Sequence, residues 1–109
     1  MTISPRTPIQ AVTALEYETV AASQTAQALG ATGKTGDLLH GLVVVPASTS
    51  PGAVAILDSA TSITVFAGGA SSLADLKPFY IPLGLLSVSG AWSVTTGANI
   101  AVIAIGDFT

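Results

Sequence analysis

The chain has 109 residues, of which 50% are hydrophobic and only 8% are charged, and its formal net charge is −3. Soluble domains usually contain about 25% charged residues, and nucleic-acid-binding proteins need clustered Lys and Arg. We therefore expect one poorly charged domain with no nucleic-acid partner. The chain contains no cysteine, which excludes disulfides, thiolate metal sites and thiol chemistry.

The first part of the chain is predicted to be an extended arm. Pro5 and Pro8 lie in a polar context that favours extended backbone, and we assign residues 1–16 to this arm. Residues 16–23 alternate weakly and are the candidate first strand, with a short helix over residues 10–17 as the competing interpretation. The N-terminus lacks a basic start followed by an apolar run, so no secretory signal is expected.

The rest of the chain is predicted to consist of turns and short strands. Gly30, Gly33 and Gly36 are spaced by three, which is typical of turns. The predicted strands that follow are rich in β-branched and apolar residues and cover residues 38–45, 53–57, 62–67, 79–81, 85–89, 91–96 and 99–105. Residues 58–61 predict a hairpin loop of about four residues. The segment 79–81 lies between two prolines, which favours an edge strand.

Seven or eight short strands at this spacing predict an all-β fold. We expect a single antiparallel β-sandwich of jelly-roll-like type over residues 17–109, with a small barrel as the alternative. The uncharged run between Lys77 and Asp107 is long enough to cross a bilayer. Its prolines and glycines would break a helix, so no membrane partner is expected.

The side-chain alternation indicates how the strands pack. Val54 and Ile56 share one face of their strand, while small residues occupy the other. Residues 42–45 and 100–105 are instead apolar on both faces, and the chain has no predicted helices to cover a second face. We therefore expect a homo-oligomer or a permanent partner to cover it, with a tightly packed monomeric sandwich as the alternative.

Two aromatic positions are interpreted from the same alternation. Phe79 and Tyr80 are adjacent, so one of them points outward and is a candidate anchor for a neighbouring protein, or for a carbohydrate. Trp92 alternates with Val94 in its strand and is assigned to the core.

The string GATGKT at residues 30–35 is the segment most similar to an enzyme motif. It resembles the phosphate loop G-x-x-x-x-G-K-[ST], whose backbone N–H groups surround phosphates. The alignment puts Ala28 where the first glycine is required, and a strand rather than a helix follows Thr35. We interpret the string as a turn with an exposed lysine.

The remaining polar residues carry no catalytic arrangement. His40 is the single histidine, and Asp37 precedes it by three positions, which on a strand puts the two on opposite faces. Glu16 and Glu18 share a face, as paired carboxylates do in glycosidases, but their expected role is solvation. Three further acids in predicted loops have no calcium-loop spacing, and solvation is their expected role as well: Asp58, Asp75 and Asp107. No G-x-S-x-G elbow occurs, so we expect no enzymatic activity, no cofactor and no metal.

Four segments of the chain carry a family resemblance. They share strand-forming apolar runs interrupted by Gly, Pro, Ser and Thr, and they comprise residues 38–54, 63–69, 79–84 and 90–108. Together they make residues 21–109 resemble small, cysteine-free structural proteins of tailed bacteriophages. In particular, the chain is similar to capsid decoration, or cement, proteins, which are compact and often trimeric β-sandwiches clamped on capsomer junctions.

The resemblance implies a virion protein that binds the assembled shell and stabilises it. Its implied partners are the major capsid protein and further copies of itself, with a homotrimer favoured. Its implied location is the capsid surface, after synthesis in the cytoplasm of the host bacterium. The interface residues we expect are Ile3, Pro5 and Pro8 in the arm, with Phe79 and Tyr80 on the sandwich. The alternative is a receptor- or glycan-binding head module of a phage fibre or tail appendage.

Overall fold

The computed structural model describes residues 15–109, and these residues form eight β-strands and no helix. The strands are β1 (Glu16–Val20), β2 (Gln27–Ala28), β3 (Leu38–Pro46), β4 (Val54–Asp58), β5 (Thr61–Phe66), β6 (Phe79–Leu86), β7 (Trp92–Thr96) and β8 (Ile100–Asp107). The prediction of an all-β fold is therefore confirmed. The described part of the chain has no helix that is long and apolar enough to cross a membrane.

The strands form two four-stranded antiparallel sheets. Their orders are β1-β8-β3-β6 and β2-β7-β4-β5. The pairs are nested along the chain: β1 pairs with β8, β2 with β7, β3 with β6 and β4 with β5. The innermost pair is a local hairpin, while the outermost pair joins the two ends of the described chain.

The core lies between the two sheets and follows from side-chain alternation. Burial alternates residue by residue along β4, β7 and β8, so each strand sends every second side chain inward. The predicted inward pair, Val54 and Ile56, is fully buried. The buried apolar residues are Val20, Leu29, Leu39, Leu42, Val44, Val54, Ile56, Trp92, Val94, Ile100, Val102, Ala104 and Phe108.

Contacts at the two sides show how the sheets are stacked. On one side, the Gln27 side-chain amide donates to the main-chain oxygen of Thr19 at 3.0 Å, which places β2 against β1. On the other side, the rings of Phe66 and Phe79 lie 5.5 Å apart and bring β5 and β6 together. The Trp92 indole N–H donates to the carbonyl of Asp37 at 2.9 Å, a buried bond that joins β7 to the segment just before β3.

The hairpin between β4 and β5 is tighter than predicted. Asp58 pairs directly with Thr61, so the loop has two residues, Ser59 and Ala60, rather than about four. Ser59 has a φ of 55°, and a positive φ at the first central position is typical of a two-residue type II′ turn. Because this position holds Ser rather than Gly, the two-residue turn was not predicted.

The predicted strands 79–81 and 85–89 are one strand, β6, which ends at Leu86. Pro82 does not end it because β6 lies at a sheet edge, where a proline need not donate to a neighbour. Gly84 has a φ of 66°, and an extra residue is accommodated in the pairing with β3 there. The predicted edge position is confirmed, but the predicted break is wrong.

The start of the described chain is a strand. β1 begins at Glu16 and includes Tyr17, which disagrees with the alternative helix at its last two residues. Residues 1–14, with the expected interface residues Ile3, Pro5 and Pro8, lie outside the described residues, and the arm stays a prediction.

Candidate interaction surface

The outward side of the sheet β1-β8-β3-β6 carries an apolar surface. Register places Tyr17, Ile105 and Gly41 in one row across the sheet, and Thr19, Ile103, Val43 and Tyr80 in the next. We call this surface the apolar face and define it by seven outward side chains, Tyr17, Thr19, Val43, Val45, Tyr80, Ile103 and Ile105. The inward neighbours of these residues in β3 and β8 are buried in the core.

Large side chains of the apolar face are open to solvent. Tyr17 is 72% exposed and Tyr80 is 44% exposed, while Ile103 and Ile105 are half-buried. Nearby, where β6 ends, Leu86 is 62% exposed. Exposed apolar side chains that adjoin on one sheet face are typical of an interaction site.

The outward side of the other sheet is chemically different. Register brings Ser62, Leu57 and Ser93 into one row and Thr64, Ala55 and Thr95 into the next. Small hydroxyl and methyl groups dominate there, so the two broad surfaces of the sandwich differ in what they can bind. This contrast was expected from the two-sided apolar pattern of 42–45 and 100–105.

The two predicted aromatic anchors lie on opposite sides of β6. The Phe79 ring packs against the core and against Phe66. Tyr80 lies on the apolar face over Gly41, since a Cβ added at Gly41 would meet the Tyr80 hydroxyl group and ring. The exposed surface of Tyr80 suits it to contact a partner, whereas Phe79 mainly stabilises the fold.

Sequence reasoning did not single out Tyr17, which is the most exposed aromatic side chain of the apolar face. The signal was available in the pattern Glu16-Tyr17-Glu18: two acids on one side of a strand place the residue between them on the other. Trp92 is buried, as predicted, which leaves it unable to stack on a sugar.

The phosphate-loop-like string, residues 30–35, uses its main-chain N–H groups for hydrogen bonds within the protein. The N–H groups of Thr32 and Gly33 donate to the main-chain oxygen of Thr109 at 3.0 and 2.8 Å. A Cβ at Gly30 would also collide with that oxygen. The N–H groups that would hold a phosphate in a nucleotide site therefore already have an acceptor, which agrees with the interpretation of this string as a turn.

Asp37 bonds to the same loop and to Thr109. Its buried carboxylate accepts the Thr109 hydroxyl at 2.6 Å, the Thr109 N–H at 3.0 Å and the Lys34 N–H at 3.2 Å. Burial raises the pKa of Asp37, but these hydrogen bonds and the positive charge of Lys34 outweigh burial and lower the pKa overall.

Asp58 accepts three successive main-chain N–H groups. Its carboxylate oxygens lie 2.9 Å from the N of Val88, 3.1 Å from Ser89 and 3.2 Å from Gly90. The side chain is buried and joins the end of β4 to the turn between β6 and β7. Its expected role was solvation, so its structural role is a correction.

Glu16 and Glu18 are also engaged within the fold. Glu16 accepts the Phe108 N–H at 2.9 Å, and Glu18 accepts the Gly30 N–H at 2.8 Å. Each carboxylate joins β1 to a neighbouring segment, rather than only solvating the surface. His40 is half-buried on β3. Within residues 15–109, no group of three or more His, Asp or Glu side chains is placed to hold a metal.

No family model, curated protein or solved structure matches this chain. The arrangement of its own side chains is therefore the basis for assigning a function. The polar groups that resembled catalytic motifs are used inside the fold, while the apolar face is left available for a partner.

Proposed function

We propose that this protein is a non-enzymatic structural protein of a phage virion that binds the assembled capsid and stabilises it. The observation that carries the proposal is the apolar face, with its exposed Tyr17 and Tyr80. A protein that binds the assembled shell but not its free subunits stabilises that shell by mass action. We propose that the copies associate as homotrimers and that the major capsid protein is the other partner.

The order in which the strands are connected also supports the proposed structural role. The nested pairing of eight strands in two sheets fits the jelly-roll arrangement, and this arrangement is found in viral capsid and lectin domains. Fold alone does not decide function, so we base the choice between these classes on the surface. A broad apolar sheet face fits a protein surface better than it fits a sugar.

Co-sedimentation with empty capsids tests the proposal. We expect the protein to sediment with assembled shells, to leave unassembled major capsid protein unbound, and to raise the temperature at which the shells disrupt. The variant Tyr17→Lys places a charge on the apolar face, which we propose joins the copies of the trimer. It should lose most of this capsid binding, because single copies attach at one site where a trimer attaches at several. Ala28→Lys, at an exposed position of the other sheet, is the matched control and should bind as the unmodified protein does.

The second candidate is a glycan- or receptor-binding module, which the exposed Tyr80 favours because aromatic rings stack on sugars. Such a module would bind glycans as an isolated protein and lose that binding in Tyr80→Ala. Glycan-array binding without any sedimentation on capsids would replace the first proposal with this one.

A further inference from the structure

The four edge strands of the sandwich differ in how they are protected from pairing with another chain. Exposed edges are commonly blocked by charge, proline, bulges or short length. β1 carries two glutamates, β6 contains Pro82 and the irregularity at Gly84, and β2 has only two residues. β5, with the sequence TSITVF, has six residues, no charge and no proline, and its first four residues are exposed.

Hydrogen bonds just beyond the ends of β4 show which residues of β4 bond to β7 and which bond to β5. They therefore also show which main-chain N–H and C=O groups of β5 have no partner in β4. The Ser59 N–H donates to the Ala91 oxygen, and the Gly97 N–H donates to the Ala53 oxygen. Both bonds continue the β4–β7 ladder, so odd-numbered residues of β4 bond to β7 and even-numbered residues bond to β5.

The register then identifies the free main-chain groups. Ile56 pairs with Ile63 and Asp58 with Thr61 through hydrogen bonds, while Ser62 and Thr64 lie opposite odd-numbered residues of β4. The N–H and C=O groups of Ser62 and Thr64 therefore point away from the sheet, toward the open edge. Between them, Ile63 is 41% exposed.

We propose that β5 pairs antiparallel with β5 of a second copy, around a two-fold axis at Ile63. In this register Ser62 of each copy lies opposite Thr64 of the other, and four N–H···O bonds form. The two Ile63 side chains meet at the axis and cover each other, while the hydroxyl side chains face hydroxyl side chains, a favourable cross-strand pair. The result is one continuous eight-stranded sheet.

The β5 edge carries no charge, and this makes a second copy of the same strand the partner that suits it. A two-fold interface sets the same patch against itself, so a net charge on the patch would face an equal charge of the same sign. Residues 59–74 contain no charged residue, and this segment includes the whole of β5. The pairing is separate from the proposed trimer and does not rest on the proposed function.

Cysteine crosslinking tests this register, because the natural chain has no cysteine and a single introduced one reports only contacts between copies. In Ile63→Cys, the two Cα atoms would lie about 4.5 Å apart, within the range for a disulfide. In Ser62→Cys, on the same exposed edge, the two residues are offset along the strands and lie about 8 Å apart, too far for a disulfide. Under mild oxidation we expect Ile63→Cys to form dimers at least about tenfold faster than Ser62→Cys.

A proline substitution tests the hydrogen bonds proposed between the two β5 strands, and cysteine crosslinking is again the measurement. The Ser62 N–H bonds to nothing in β4, so Ser62→Pro removes only an edge donor and should leave thermal unfolding close to that of Ser62→Ala. Added to Ile63→Cys, the proline should abolish the dimer, and the alanine should leave it unchanged.

Three results would overturn the proposal: equal crosslinking of the two cysteine variants, no crosslinking of Ile63→Cys, or a dimer that survives Ser62→Pro. Slow hydrogen exchange of the Ser62 and Thr64 amides in a protein that does not crosslink would also overturn it, because another part of the same chain would then cover the edge.

Discussion

Carboxylates that accept main-chain N–H groups are a recurring feature of this chain. Asp37, Asp58, Glu16 and Glu18 all do so, and each joins segments that are distant in sequence. With only six acidic residues in the chain, most of its negative charge is committed to holding loops and strand ends together. Substitutions of these acids should therefore affect stability.

Asp58 offers the clearest case. Asp58→Ala would remove the charged acceptor shared by the N–H groups of Val88, Ser89 and Gly90, and hydrogen bonds to a charged group contribute more to stability than neutral ones. We expect the free energy of unfolding to fall by about 2–3 kcal/mol, measured by urea denaturation. Asp75→Ala is the control: Asp75 is exposed and accepts one N–H in its own loop, so its loss should cost under about 0.5 kcal/mol. Equal effects would contradict the structural role of Asp58.

Asp37 should make the free energy of unfolding depend on pH in the acidic range. Because its folded pKa is lowered from 3.8, its ionised form stabilises the fold above the unfolded pKa, and this contribution disappears as the pH falls through the lower folded pKa. We expect Asp37→Asn to be less stable than the unmodified protein at pH 7, with the difference shrinking steadily below about pH 4. Unfolding free energies measured at pH 7, 4 and 3 check this, and a difference independent of pH would contradict it.

At the scale of elements, two loops cross where Gly52 meets Gly97. Gly52 donates its N–H to the Ala98 oxygen, Gly97 donates its N–H to the Ala53 oxygen, and both bonds measure 2.8 Å. A Cβ at Gly97 would lie 2.6 Å from the Gly52 Cα, and main chain cannot rotate away. These glycines therefore allow the loop before β4 to pack against the turn between β7 and β8.

We expect Gly97→Ala to lower the free energy of unfolding by about 2–3 kcal/mol, because overpacking forces the backbone to shift. Gly41→Ala is the control, since its added methyl would meet only the Tyr80 side chain, which can rotate aside, and no main chain. Its cost should stay below about 1 kcal/mol. Thermal and urea unfolding of both variants measure the difference, and equal losses would show that the crossing tolerates a side chain.

The elements also show what the sequence can predict. The strands β3, β4, β5, β7 and β8 were predicted within two residues of their bounds, because their apolar and β-branched runs are flanked by Pro, Gly, Asn or Asp. β2 was missed, since its two residues, Gln27 and Ala28, have no pattern and pair only with a strand far along the chain. The tight turn at Ser59 and the continuity of β6 through Pro82 depend on tertiary pairing that local composition does not encode.

The candidate interaction surface was predictable in part. The apolar pattern on both sides of 42–45 and 100–105 indicated an open second face, and Tyr80 lies on that face as one of the predicted pair. The structural roles of Asp37 and Asp58 could not be predicted, because their donors lie at residues 109 and 88–90, brought near only by the fold.

For the whole molecule, the apolar face leads to a prediction about mass. We expect light scattering coupled to size exclusion to give a stable multiple of 10.8 kDa, with three copies as the basic unit. Tyr17→Lys should reduce that mass, since it would place a charge in an apolar interface, whereas Ala28→Lys should leave it unchanged. A monomeric unmodified protein would contradict the proposed trimer.

The nested pairing of the strands has a consequence for how fast the chain can fold. The β4–β5 hairpin closes a loop of two residues, whereas β1 meets β8 only after about 80 residues have been arranged between them. Such distant pairings make folding slow, with relaxation times of milliseconds to seconds. The hairpin can form early, but β1, the first of the described strands to be synthesised, must wait for β8, the last of them. Until β8 pairs with them, β1 and β3 are not joined, and the apolar side chains of this sheet are not covered by their neighbours in the fold.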